Sequence, residues 1–312
     1  SGAQSNTFLG YEAGRSSPTL STDTADNNTA IGFQSFYSNT TGNYNSTLGH
    51  SSLRSNTTGR YNSALGVSSL QLNSTGSYNI AIGNNALGFN TSASYNTALG
   101  NLSLSANRTG SNGVAIGAES QYYANSTTTP WTNMNTSLGY QSLRGSTTAA
   151  SNTGNSNTAI GYQSLMLNSS GEYNTAIGYQ SLMANTTGRI NTSIGYKSLM
   201  SNTTGFTNSA MGEESLAYNT TGFENAAFGA TALGANTTGK GNTANGYSAL
   251  FSNTTGSDNT AIGSLSLGWN DSGSSNTAIG YGAGSAASLF EFNTNPSNSI
   301  YLGYGTKAGS FG

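Results

Sequence analysis

The stretch NTAIGYQSLMLNSSGEY, residues 157–173, is followed directly by NTAIGYQSLMANTTGRI, residues 174–190. Taking the glycine that closes each N-T-A-I-G-like motif as a marker extends the pattern in both directions, from Gly10 through Gly32, Gly49 and Gly66 to Gly280 and Gly303. Of the sixteen intervals between the seventeen markers, twelve are 17 residues, three are 22 and the last is 23. A fixed short period that fills a chain describes a solenoid, in which each repeat packs on its neighbours, rather than a compact domain.

Alignment on the marker separates the columns. Ile or Leu stands before it (Ile31, Leu48, Leu65, Ile82) and a second aliphatic four residues after it (Phe36, Leu53, Leu70, Leu165, Leu182), with Ser or Ala between. Asn-x-Ser/Thr-Gly follows, as in Asn185–Gly188. Glycine and asparagine tolerate positive φ, so this cluster reads as a turn. The glycine density works against a helical repeat, so each coil is expected to be two short strands and two tight corners. The expected fold is all-β: a parallel β-solenoid, or β-roll, of about seventeen coils forming a single rod over residues 1–312. Enlarged coils are expected at 11–31, 118–160 and 281–302, and at one strand spacing per coil the rod is on the order of 80 Å long. Two aliphatics per seventeen residues are few against the entropy of ordering the chain, so one aliphatic row is expected to form a seam between subunits, most simply in a trimer.

Charged residues make up 6% of the chain, against roughly 25% in ordinary soluble domains. Net charge is −2, with 18 Tyr and 11 Phe, unlike the highly charged, aromatic-poor composition of disordered chains. With no Lys/Arg cluster, the electrostatic footprint of a nucleic-acid binder is missing. No run approaches the roughly 20 apolar residues that span a bilayer, so membrane insertion is not expected. The absence of cysteine excludes disulfides, zinc–thiolate sites and a thiol nucleophile.

The segments NTAIGYQSL (157–165), NSALGVSSL (62–70) and NIAIGNNAL (79–87) resemble the repeats in the head domains of trimeric autotransporter adhesins and, more closely, the N-T-A-I-G-Y-Q-A-L arrays of phage and bacterial tail fibres. NSIYLGYGTKAG (298–309) is similar to the segment preceding the C-terminal chaperone region of such fibres. The resemblance covers nearly the whole chain and implies a left-handed parallel β-roll in a trimer, at a cell surface, in the extracellular space or on a virion. The adhesin repeats are usually shorter, so seventeen residues imply a longer turn here.

Candidate sites are few. The one histidine, His50, occupies the column after the marker where Tyr162, Tyr179 and Tyr196 stand elsewhere, and reads as a column occupant rather than a base. Glu213 and Glu214 are adjacent, which in a strand would point them to opposite faces and suits a glycosidase pair poorly. No enzyme activity, cofactor or metal is therefore expected. Aromatic ladders at Tyr44, Tyr61, Tyr78 and Tyr95 read as packing first and a sugar-binding face second. The enlarged coil AESQYYANSTTTPWTNMN (118–135) gathers Tyr122, Tyr123 and Trp131, the aromatic cluster outside the repeat columns, and is the expected ligand site. Asn-x-Ser/Thr recurs at Asn39, Asn56, Asn73, Asn90, Asn107, Asn168, Asn185, Asn202, Asn219, Asn236, Asn253 and Asn270. These are either N-glycan acceptors or the rungs of an asparagine ladder.

The expected function is that of a non-enzymatic fibre or adhesin segment, a rigid spacer whose partners are copies of itself and a cell-surface glycan or protein receptor. One alternative is a subunit of an end-to-end filament, bare or glycan-coated. The other is an ice-binding solenoid using Thr186, Thr203, Thr220, Thr237 and Thr254.

Overall fold

A computed structural model describes residues 5–16, 25–285 and 296–307. The expected enlargements at 11–31 and 281–302 lie partly outside the described residues, and the third, at 118–160, is described in full. The chain divides into two compact units, Ser1–Ser156 and Asn157–Gly312. The boundary falls in the enlargement that interrupts the 17-residue spacing after Gly139.

The first unit contains β1 (Thr7–Leu9), β2 (Thr29–Ile31), β3 (Ser46–Leu48), β4 (Ser63–Leu65), β5 (Ile80–Ile82), β6 (Thr97–Leu99), β7 (Gly110–Ser111), β8 (Val114–Ile116), β9 (Trp131–Thr132) and β10 (Thr136–Leu138). Strands β1 to β6, then β8 and β10, pair in sequence order as a parallel sheet, and β7 pairs with β9 as a second, two-stranded one. The second unit runs from β11 (Thr158–Ile160) through β12 (Thr175–Ile177) and β13 (Thr192–Ile194) to β19 (Ile300–Leu302), each strand parallel to the next. Register is strict: Thr158 faces Thr175, Ala159 faces Ala176 and Ile160 faces Ile177. The helical content among the described residues is one 3-10 turn, Ala149–Ser151. Each unit is a parallel β-solenoid with one coil per repeat.

An ordinary coil has one strand, however, not two; only around the enlargement do β7 and β9 add a second, among the described residues. In T-A-I the first and third residues point outward and the alanine is buried, as the period of two dictates. Past the marker glycine the backbone leaves the β region. Gln163 and Leu165 have φ of 54° and 51°, Gln180 and Leu182 of 52° and 53°. The Gln180 N–H donates to Tyr162 O of the coil before (2.9 Å), and the Leu182 N–H donates to Ser198 O of the coil after (2.9 Å). This second wall is thus held by the same coil-to-coil bonding as a sheet, with left-handed residues at alternate positions. Left-handed backbone is costly for a side chain with a Cβ, about 1–2 kcal/mol. Full burial of the leucine, worth about 1.5–3 kcal/mol, offsets it.

The glycines work differently from the sequence expectation. The turn glycines of Asn-x-Thr-Gly are outside the positive-φ set, which falls instead on Gln, Leu and Tyr columns and on the marker glycines. Gly42 is required by space, since a Cβ there would meet Asn39 Oδ1 at 2.5 Å. Gly66 is required by both, with φ of 131° and a Cβ position 2.6 Å from Gly83 O of the next coil.

The core is narrow. Leu165, Leu182, Leu199 and Leu216 are fully buried beside the strand alanines and the Ser/Ala column. Two asparagine ladders complete it. In one, Asn62 Nδ2 donates to Asn45 Oδ1 (3.1 Å) and to Gly76 O (2.9 Å), while Asn62 Oδ1 accepts from the Asn79 N–H (3.0 Å). In the other, Asn185 Nδ2 donates to Asn168 Oδ1 (2.7 Å) and to Gly188 O (2.9 Å). A core with few large side chains is thereby filled with satisfied polar groups, the condition under which buried amides stabilise.

Candidate functional site

Of the two aliphatic rows, the one ahead of the marker glycine is on the outside. Leu48 is 48% exposed and Leu65 44%, as the third, outward residue of a strand must be. Three further outward rows flank it: the tyrosines at Tyr44, Tyr61, Tyr78 and Tyr95, the Thr/Ser row that opens each strand, and the column after the marker with Phe33, His50 and Val67. From residue 27 to residue 140 these four rows hold no Asp, Glu, Lys or Arg. The tyrosines stack at centroid distances of 4.8, 4.9 and 4.9 Å, within 11° of parallel. Their π faces are occupied by one another, so the ladder offers ring edges and hydroxyls to solvent rather than the free face that sugar stacking needs. His50 stacks on Phe33 at 5.0 Å, a column occupant as the sequence predicts. Glu213 and Glu214 lie in the turn wall, not in a strand.

The enlarged coil is built into the solenoid, not hung from it. Gln121 falls where most other coils have the buried leucine and is itself 2% exposed. Its Nε2 donates to Val114 O (2.8 Å) and Ser137 Oγ (3.0 Å), and its Oε1 accepts from Asn133 Nδ2 (2.9 Å). Gly113 falls where the strand-side ladder has asparagine, and Asn133 reaches into the space its missing side chain leaves: a Cβ on Gly113 would stand 2.5 Å from Asn133 Nδ2. Asn133 Oδ1 then accepts from the Asn135 N–H (3.2 Å) and Nδ2 (2.8 Å). Asn90 Oδ1, left without a hydrogen-bond partner, marks where the other ladder is interrupted.

The three aromatic residues expected to form one cluster occupy two places. Tyr122 and Tyr123 touch, their rings 4.5 Å apart and tilted by 53°. The Arg144 guanidinium lies 5.0 Å over the Tyr123 ring, with Nε 3.1 Å from Glu119 Oε2. Asn152 Nδ2, from the following enlargement, donates to Tyr123 O. These contacts are internal to the coils. Trp131 instead packs on Gly110, its strand partner in the two-stranded sheet, and borders a shallow cleft of about 480 Å³ lined also by Ser92, Thr109, Ser111, Pro130 and Thr132. Neither tyrosine is among the residues of that cleft. Gln121, Asn133 and Gly113 carried the signal that sequence reasoning passed over: breaks in two columns within the coil that is enlarged.

The twelve asparagines of the Asn-x-Ser/Thr motifs, from Asn39 to Asn270, are all buried, eleven of them fully and Asn168 to 3% exposure. In ladder pairs such as Asn56 to Asn39 and Asn202 to Asn185, the side-chain nitrogen that would carry a glycan donates inside the coil. A glycan on that nitrogen would have to displace a ladder bond; in the folded coils these residues are the rungs of the ladder. The threonines suggested for ice are engaged too: Thr186 Oγ1 donates to Thr203 O (3.0 Å), and Thr203, Thr220 and Thr237 repeat the bond. Among the described residues there is no cluster of three or more His, Asp or Glu able to hold a metal, and no helix long and apolar enough to cross a membrane.

No protein-family model matches the chain, and no curated protein matches it in sequence. The functional reading rests on the geometry.

Proposed function

We propose that this chain is a segment of a non-enzymatic structural fibre or adhesin, extracellular or virion-borne, whose copies associate side by side through the outward Ile/Leu row of their strands, most simply as a trimer. The observation that carries the reading is that row: a half-exposed aliphatic in coil after coil, flanked by rows with no charge across the first unit. Soluble monomers avoid contiguous apolar strips, and depletion of charge is the compositional mark of an interface core. The coils themselves are supported by inward leucines and amide ladders, so the outer row is available to a partner. A second copy presents an identical strip at an identical spacing.

Sedimentation velocity and negative-stain electron microscopy test it. The parent chain is expected to sediment as an oligomer and to show rods, and Ile177→Asp, on the outer row of the second unit, is expected to shift it toward monomer with its far-UV circular dichroism intact. A monomeric parent, or an Ile177→Asp chain that stays oligomeric, overturns the reading.

A further inference from the structure

We infer that the Trp131 cleft is a binding site for a neutral sugar ring, and that the attachment role of the fibre resides in this side pocket rather than in the tyrosine ladders. The inference rests on the surface-recognition part of the proposed function and gives it a ligand class.

The lining carries the chemistry. An indole forms one wall, Ser92, Thr109, Ser111 and Thr132 supply hydroxyl-bearing positions, and Pro130 closes the rim. No residue of the lining is ionisable, so neither a carboxylate nor a phosphate would find a counter-charge, and a cation would find no carboxylate. A hydroxylated, uncharged ligand with an apolar C–H face matches an aromatic wall beside hydroxyls. The walls are fixed in advance. Thr109 Oγ1 donates to Thr127 O (3.1 Å) and Thr129 O (2.8 Å), tying the inserted loop to the coil beneath. Ser111 Oγ accepts from the Ser94 N–H (3.0 Å), and Gly110 pairs with Trp131 in register. A rigid cleft spares a ligand the cost of ordering it. Trp131 Nε1 is a buried donor with no acceptor among the described residues, which is uncommon enough to require a reason. A ligand oxygen that reaches this N–H completes a hydrogen bond the protein alone does not make. The tyrosine ladders lack this combination, since their ring faces are mutually covered.

The chain has two tryptophans, so in a Trp269→Phe background the indole emission reports Trp131 alone. Titration with cellobiose, lactose and N,N′-diacetylchitobiose, and with digalacturonate as the anionic counterpart, to about 10 mM covers the weak affinities expected of a shallow cleft. At least one neutral disaccharide is expected to give a saturable emission change, with digalacturonate at least tenfold weaker. Ser92→Glu, whose side chain makes none of the ladder bonds, is expected to abolish the change. Trp131→Ala, followed by ligand-observed nuclear magnetic resonance, is expected to lose binding as well. Absence of a saturable response to all three neutral sugars, preference for the anionic one, or a response that survives Ser92→Glu would overturn the assignment. Sedimentation of the same variants separates the two readings, because loss of sugar binding in a chain that still oligomerises leaves the fibre standing, and the reverse result leaves the cleft.

Discussion

An ordinary coil of the first unit, such as residues 62–78, and the enlarged coil, residues 113–134 when counted from the same column, solve one problem in two ways. In the ordinary coil the asparagine ladders and the strand are answered by the same residue seventeen positions away: Asn62 by Asn45 and Asn79, the strand backbone by its neighbours in register. Translation, with short bonds inside each coil such as Asn73 Nδ2 to Gly76 O, satisfies the core. The enlarged coil loses that symmetry at two columns, with Gly113 where asparagine belongs and Gln121 where leucine belongs, and its insertion makes good both losses. Asn133 enters the space beside Gly113, hands its oxygen to Asn135 and donates to Gln121. A solenoid can therefore accept an insertion in mid-stack provided the insertion carries donors and acceptors to replace those it displaces.

The largest effect expected is in the ordinary coil. Leu182→Asp puts a carboxylate into a fully buried column, between coils whose leucines sit at the same depth. An uncompensated buried charge is among the few single changes that cost more than about 4 kcal/mol. Circular dichroism and thermal melting of the purified variant are expected to show a second unit without a cooperative transition. Ile177→Asp, five residues earlier on the outer row, is expected to melt with the parent coil and fail only in association. Equal loss of folding in the two variants would mean that the rows are not segregated into core and surface.

That contrast also locates what the sequence could disclose. The period, the parallel coil, the buried leucine column and the placement of His50 follow from residue spacing, because a solenoid writes each contact into the chain at a constant offset. The two aliphatic columns were legible as columns but not as inside and outside. Their sense depends on where the chain leaves the β region, and that is set by left-handed leucines and glutamines such as Leu165 and Gln163, residues with no intrinsic preference for positive φ. The Asn-x-Ser/Thr motif was ambiguous for the same reason, since its letters fit a solvent-facing turn as well as a ladder, and only the inward turn of the asparagine separates them. Tyr122, Tyr123 and Trp131 are close in sequence and apart in the fold because Trp131 opens a new strand, Trp131–Thr132, that pairs across to Gly110–Ser111.

The repair in the enlarged coil can be broken and then undone. Asn133→Ala removes the acceptor of the Asn135 amide groups and the partner of Gln121 Oε1, all buried. Orphaning groups of this kind costs about 1–3 kcal/mol each before relaxation, so a loss of about 2 kcal/mol in urea unfolding is expected. Gly113→Asn in the same chain restores the column by the ordinary rule, with its side chain in the space Asn133 vacates, and is expected to return about half of that loss. In the parent, where Asn133 stands 2.5 Å from the new Cβ, the same Gly113→Asn change is expected to destabilise. A double-mutant cycle measures the coupling, and additive effects would show that Asn133 does not replace the missing rung.

The smallest effect is expected at the outermost part of the insertion, Ser126–Thr129. Thr109 ties this loop down through the carbonyl oxygens of Thr127 and Thr129, not through their side chains, and any residue supplies a carbonyl. Replacing the four residues with Gly-Ser-Gly-Ser should therefore leave the bonds available and change stability mainly through the added freedom of the unfolded chain, roughly 0.4–1 kcal/mol for each glycine at most. Excising residues 121–134 is a different operation, since it removes Gln121, Asn133 and the strand at Trp131 together and leaves Gly113 with an unfilled ladder position. Thermal melting of the two variants side by side is expected to place the loop replacement within a few degrees of the parent and the excision far below it. A loop replacement as damaging as the excision would move the structural role of the enlargement from its buried amides to its exposed threonines.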